Sequence, residues 1–113
     1  MVNNMEESIR FYQEVVGLSL CRRVQPQPGV EIAFFGDDSE TQLELIYNEA
    51  NNKVNIGQDI SLGFEVKSVN EKMESLKRMG IAIHSGPYRP NPYVKFFYVM
   101  DPNGLKVQLV ERM

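Results

Sequence analysis

Residues 4–17, Asn-Met-Glu-Glu-Ser-Ile-Arg-Phe-Tyr-Gln-Glu-Val-Val-Gly, and residues 68–80, Ser-Val-Asn-Glu-Lys-Met-Glu-Ser-Leu-Lys-Arg-Met-Gly, are two versions of one pattern, and their repetition decides the fold. Asn4 and Glu7 stand 64 positions before Ser68 and Glu71, so an Asn-x-x-Glu capping box returns as Ser-x-x-Glu. After the first cap, Met5, Ile9, Tyr12 and Val16 recur at helical spacing until Gly17. After the second, Val69, Met73, Leu76 and Met79 do the same until Gly80. Two helices are predicted, the first one residue longer than the second.

Beyond each glycine the period changes from 3.6 to 2. Residues 18–24, 30–36 and 41–47 read as strands, with Pro26, Pro28 and Gly29 in one turn and Gly36, Asp37 and Asp38 in another. Residues 81–84, 94–100 and 105–110 answer them, joined by Ser85-Gly86-Pro87 and by Asp101-Pro102-Asn103-Gly104. The second helix also has a strand before it, residues 60–66, whereas the first is preceded only by Met1-Val2-Asn3. Because Val2 falls on Val66, about six residues of a first strand are expected upstream of Met1. Either the chain is a shortened form or the sheet has a vacancy, and a vacant edge favours association with another chain.

Strand alternation sorts the side chains into two faces. Leu62, Phe64, Val66, Leu43, Leu45, Val107 and Leu109 form an apolar face that should carry the helices. Ser61, Gly63, Glu65, Gln42, Glu44, Ile46, Lys106, Gln108 and Val110 form a mixed polar face, either solvated or lining a cleft. With two copies, such faces can curl into a cup. Of Phe34, Phe35, Phe96, Phe97 and Tyr98, half should line the polar face and half the core.

Composition sets the outer bounds. One hundred and thirteen residues are enough for a single domain, 1–113, with module one over 1–50 and module two over 59–113. Twelve basic against fifteen acidic residues, a net charge of −3, argue against a nucleic-acid partner. No apolar run approaches the ~20 residues that cross a bilayer, and no basic leader opens the chain, so a cytoplasmic protein is expected. The lone cysteine, Cys21, cannot form an internal bridge, and its alternating apolar neighbours suggest a buried packing thiol. Arg22 and Arg23 are either solvated or hold an anionic group. His84, the only histidine, reads as a partly exposed strand end. Residues 86–93, with three prolines and two tyrosines, read as a lid or as a rigid linker, and Tyr88, Arg89 and Tyr93 are its candidate ligand-binding residues.

The paired strand-helix-strand-strand-strand units, residues 5–18 and residues 101–110, Asp-Pro-Asn-Gly-Leu-Lys-Val-Gln-Leu-Val, resemble the vicinal oxygen chelate superfamily, which contains glyoxalase I, extradiol dioxygenases and the fosfomycin and bleomycin resistance proteins. The resemblance implies an α+β fold of tandem βαβββ modules, a curved mixed sheet with the helices on its convex face, and the first strand of module one missing. It also implies a homodimer, since members often build the cup across a two-fold axis.

For function, the resemblance implies glyoxalase-like chemistry on a hemithioacetal or similar small oxygenated substrate. A divalent metal, Zn, Ni, Mn or Fe, would polarise the substrate oxygens while a carboxylate moves the proton. The fourth-strand ligand position of module one is Glu44, which would be both metal ligand and catalytic base. Its counterpart is Gln108, where the glyoxalase pattern has a second Glu, and the first-strand position of module two is Ser61, where that pattern has His. Ser61 and Gln108 are therefore candidates for ligand binding, with Gln108 a weak metal donor. The alternative is a metal-free small-molecule binding protein of the bleomycin-resistance type.

Overall fold

The computed structural model describes residues 1–37, 39–51 and 53–113. The chain divides into two compact units, Met1–Asn55 and Ile56–Met113. In the first, α1 (Met5–Arg10) continues as a π-helical segment (Phe11–Val16), followed by β1 (Leu20–Gln27), β2 (Val30–Phe35) and β3 (Leu43–Asn48) in an antiparallel sheet of order β1-β2-β3. The second runs β4 (Ser61–Glu65), α2 (Val69–Arg78), β5 (Ser85–Asn91), β6 (Val94–Met100) and β7 (Lys106–Arg112), in a sheet of order β4-β7-β6-β5. There β4 pairs parallel with β7, while the other pairs are antiparallel. The α+β class is thus present, with the described strands divided between two sheets, one per unit.

The 64-residue repeat extends to backbone register. Val24 faces Ile32 and Ile32 faces Ile46 in unit one; Tyr88 faces Phe96 and Phe96 faces Val110 in unit two. Both outer strand pairs carry two register shifts, the second at corresponding places, Val24/Gln27 and Tyr88/Asn91; at the first, Phe34 faces Arg22 whereas Tyr98 faces Ser85, the repeat partner of Cys21. The repeat also holds where the chain enters each helix: Val2 N–H donates to the Ile46 carbonyl at 2.9 Å, and Val66 N–H donates to the Val110 carbonyl at 2.8 Å.

Both capping residues act as their sequence suggests. Asn4 Oδ1 accepts from Glu7 N–H at 2.9 Å and Ser68 Oγ accepts from Glu71 N–H at 3.2 Å, each satisfying a donor the helix itself cannot pair. The helix ends differ. α2 closes with Gly80 N–H on the Lys77 carbonyl and Ile81 N–H on the Leu76 carbonyl, a Schellman motif in which Gly80 takes φ +76°. In the first helix the extra residue is absorbed by a π turn, with Gly17 N–H reaching five residues back to the Tyr12 carbonyl.

Each helix covers its own sheet, α1 on β2 and β3, α2 on β6 and β7. The apolar face is buried there: Ala33, Phe35 and Leu45 under the first helix, Phe97, Val99, Val107 and Leu109 under the second. Phe34, Phe96 and Tyr98 alternate to the opposite face and are only half-buried.

Two expectations fail. The strand expected at residues 81–84 lies at Ser85–Asn91, so most of the stretch expected as a lid or a rigid linker is β5, paired along β6. Prolines usually argue against a strand, but β5 is an edge, where a missing N–H costs no ladder bond. Cys21 is exposed rather than buried, because β1 is likewise an edge strand whose second to eighth residues all face solvent. No helix among the described residues is long and apolar enough to cross a membrane.

Candidate functional site

The face of each sheet opposite its helix carries the candidate residues. In unit one, register places Arg22, Phe34 and Glu44 side by side across β1, β2 and β3. The Arg22 guanidinium lies 4.2 Å from the centroid of the Phe34 ring, a cation–π contact that holds it against the face. Glu44 is exposed on the other side of the same ring and makes no ion pair with a described residue. The row therefore offers a guanidinium and a carboxylate separated by an aromatic surface.

Arg23, the next residue, points the other way. Its Nη2 donates to Glu6 at 2.6 Å and to Glu31 at 2.7 Å, tying α1 to β1 and β2. Of the arginine pair, one belongs to the open face and the other to the scaffold.

In unit two the open face is aromatic at its centre. Tyr88, Phe96 and Tyr98 form a triad with ring centroids 5.4, 5.7 and 6.4 Å apart, and the Lys106 ammonium sits 5.0 Å from the Tyr98 centroid. Beside Tyr98 in register comes Gln108, and beside Gln108 comes Gly63. A Cβ on Gly63 would stand 2.9 Å from Gln108 Oε1, so glycine is what lets that amide lie over β4. Ser61, paired with Lys106, is exposed at the end of the same strand. Apolar ring surface with an amide, a hydroxyl and a cation at its margin suits a small molecule with a planar part and polar substituents.

The predicted residues divide clearly. Ser61, Gln108 and Tyr88 share the open face of unit two, and Glu44 holds the corresponding face of unit one. Arg89 instead donates to the Pro92 carbonyl at 3.2 Å, stapling the turn that follows β5. Tyr93 lies in that turn, 69% exposed, with its N–H on Asn91 Oδ1. Neither Arg89 nor Tyr93 joins the aromatic triad. Alternation puts Lys106 on the polar face, and only the position of the Tyr98 ring marks it as part of a site.

A divalent metal is implied by the resemblance, and the donors can be tested against it. Glu44 is a good oxygen ligand, Gln108 a neutral carbonyl and Ser61 a neutral hydroxyl. Catalytic transition-metal sites ordinarily use three strong protein ligands. Among the described residues no group of three or more His, Cys, Asp or Glu side chains could hold an ion. These donors do not fit such a centre.

Comparison with known proteins agrees with this architecture. The model of the Glyoxalase/Bleomycin resistance protein/Dioxygenase superfamily matches residues 1–109. A protein named lactoylglutathione lyase from Neisseria meningitidis serogroup A is 33% identical over 118 residues, spanning 98% of this chain and 85% of that one. One of the same name from Escherichia coli O157:H7 is 31% identical over 117 residues, spanning 97% and 86%. Among solved structures, a glyoxalase I mutant from Zea mays superposes with a TM-score of 0.86 at 26% identity, covering 98% of this chain and 42% of that one.

Proposed function

We propose, from the premise that this chain belongs to the Glyoxalase/Bleomycin resistance protein/Dioxygenase superfamily, that it is a glyoxalase-like protein acting on a small oxygenated substrate held against its open sheet faces. The reaction class is that of its relatives named lactoylglutathione lyase, isomerisation of a hemithioacetal or a similar compound. The observation that carries this reading is the row Arg22, Phe34, Glu44. Glu44 takes the proton from the carbon that bears sulfur and hydroxyl, next to the carbonyl, and returns it to the former carbonyl carbon, while the hydroxyl proton passes to the former carbonyl oxygen. Arg22 offers its guanidinium to the oxyanion that develops, and the Phe34 ring between the two gives the substrate an apolar surface to lie on. Because the donor set does not fit a catalytic metal, no step passes through one.

A single carboxylate and a guanidinium supply less transition-state stabilisation than a bound dication, so turnover is expected to be slow. The test is the isomerisation of the methylglyoxal–glutathione hemithioacetal, followed with and without chelator. Expected is a rate well below about 1 s⁻¹, indifferent to chelator and lost in Glu44→Gln. Ordinary enzyme rates that need a divalent ion, with near one equivalent bound per chain, would overturn the metal-free mechanism and restore the family's metal chemistry.

A second reading has its own observation. The triad of Tyr88, Phe96 and Tyr98, next to Gln108 where glyoxalases carry Glu, favours a binding protein that performs no chemistry. Equal inactivity of wild type and Glu44→Gln, with ligand affinity unchanged, would select it. In either case we infer a homodimer that works in the cytoplasm on a small molecule, without nucleic acid or membrane; a sedimentation mass of 13 kDa at micromolar concentration would exclude the dimer.

A further inference from the structure

At the end of the open face of unit two, past the aromatic triad, lies a cavity of about 380 Å³ lined by Gly57, Gln58, His84, Met100, Gly104 and Lys106. This volume falls within the ordinary range for small-molecule pockets. Its polar groups are one-sided. Lys106 supplies an ammonium, His84 an imidazole and Gln58 an amide, and among the described residues no carboxylate belongs to the lining. Neither Lys106 nor His84 makes an ion pair with a described residue.

Two acids adjoin the lining in sequence, Asp59, exposed beside Gln58, and Asp101, whose carboxylate is turned away. Asp101 is buried in the turn between β6 and β7, where Oδ1 accepts from Asn103 N–H and Leu105 N–H, both at 2.8 Å, and Oδ2 from the Asn103 amide at 3.3 Å. Glu65, the acidic residue on β4, faces Val110, four positions along from the Ser61–Lys106 pair. His84 is held in place through its backbone, its N–H donating to the Tyr98 carbonyl at 2.8 Å. Lys106 is held by the Tyr98 ring, so its charge stays at the boundary between cavity and aromatic face.

We propose that this cavity is an anion subsite, and that the ligand of unit two is a small molecule carrying a carboxylate or phosphate at one end and a planar apolar group at the other. The anionic end takes hydrogen bonds from Lys106 and His84, and the planar end lies on Tyr98, Phe96 and Tyr88. A cation held in place by a ring at the mouth of a cavity loses less freedom on meeting an anionic partner than a free side chain does, and the charge-assisted bond makes the charged end the main source of discrimination. The inference rests on the reading of this open face as a small-molecule surface, and it adds the substrate class.

The probes are benzoate, phenyl phosphate and benzamide, titrated into the full ¹⁵N-labelled chain and followed by NMR. Benzoate or phenyl phosphate is expected to bind at least about tenfold more tightly than benzamide, with shifts at Gln58, Gly104 and Lys106 as well as on β6. Whichever anion binds more tightly identifies the headgroup. Lys106→Met should abolish the preference, Lys106→Arg should retain most of it, and Phe96→Ala should weaken all three probes alike. Equal binding of benzoate and benzamide, with shifts confined to Tyr88, Phe96 and Tyr98, overturns the anion subsite while leaving the small-molecule surface standing. Failure of all three probes to shift either region at millimolar concentration overturns both.

Discussion

Module one places Arg22, Phe34 and Glu44 at the positions where module two places Gly86, Tyr98 and Gln108, each pair separated by 64 residues. The inner strand pairs keep the same register, and the outer ones agree at Val24–Ile32 and Tyr88–Phe96, but Tyr98 faces Ser85 where Phe34 faces Arg22; one row is a base, a ring and an acid, and its repeat positions hold a glycine, a phenol and an amide. Register is written in main-chain hydrogen bonds and in which face is apolar, so it survives replacement of every side chain on the open face. The cores show the same freedom under tighter limits. Ala33 and Phe35 in the first correspond to Phe97 and Val99 in the second, so the large ring has moved two positions along the strand while staying on the buried face. Leu76 on the buried face of α2 stands where the first module has Tyr12, whose ring lies 6.2 Å from that of Phe35.

The largest way to break this comparison is to remove a ring from one core. Phe97→Ala, at a fully buried position, should cost about 3–5 kcal/mol in urea denaturation, since nothing else fills the space. Ala33→Phe in the other module should also destabilise, by about 1–3 kcal/mol, through overpacking against Phe35. Adding Phe35→Val to it copies the arrangement of module two and should recover part of the loss. If the double substitution is worse than Ala33→Phe alone, the two cores are not interchangeable solutions.

The turns after the second and sixth strands give a smaller contrast. Asp37 and Asp101 are repeat partners, and each accepts from the N–H two residues on, Ser39 and Asn103, at 2.8 Å. Asp101 is buried and also holds Leu105 N–H, whereas Asp37 is exposed. Asp101→Ala strands buried donors and should cost about 2–3 kcal/mol by the same denaturation measurement, with Asp37→Ala well below it. Equal losses would mean that the burial of this turn contributes nothing.

Much of this was legible before any coordinates. The capping boxes, the stop glycines and the period of 2 in residues 94–100 and 105–110 located both helices and four of the strands closely, because caps and alternation are local signals. The two faces follow from parity alone, whereas the choice of Glu44, Ser61 and Gln108 among the polar-face residues comes from the family resemblance. The fifth strand was missed because Pro87, Pro90 and Pro92 speak locally against a ladder, and only its edge position makes them acceptable. Tyr88, Arg89 and Tyr93 thus lie on or just after an edge strand rather than on a free lid or linker, and of the three Tyr88 reaches the aromatic face. The roles of Lys106 and Arg22 depend on which ring lies beside them across a strand, and a linear sequence shows that only once the register is known.

The smallest contrast concerns how each helix is fastened to its sheet. In module one Arg23 joins Glu6 of α1 to Glu31 of β2; at the repeat positions of those acids stand Asn70 and Lys95, and Lys95 Nζ donates to Asn70 Oδ1 at 2.5 Å. The first tie contains carboxylates and the second does not, with Glu111, opposite Lys95 across the strands, engaged at Val69 N–H instead. Hydrogen bonding to Arg23, and secondarily its charge, hold the Glu6 carboxyl below its ordinary value of 4.5. A lowered carboxylate pKa stabilises the fold above the unfolded value, and the contribution is lost as pH falls through the folded value. The loss on Arg23→Met should thus be small at neutral pH, reduced by salt, and smaller still near about pH 3. Lys95→Met, breaking a tie to a neutral amide, should change less over the same range. Denaturation of both variants at the two pH values checks this, and an Arg23→Met loss that stays constant would show that packing of the long side chain, rather than its charge, fastens the first helix.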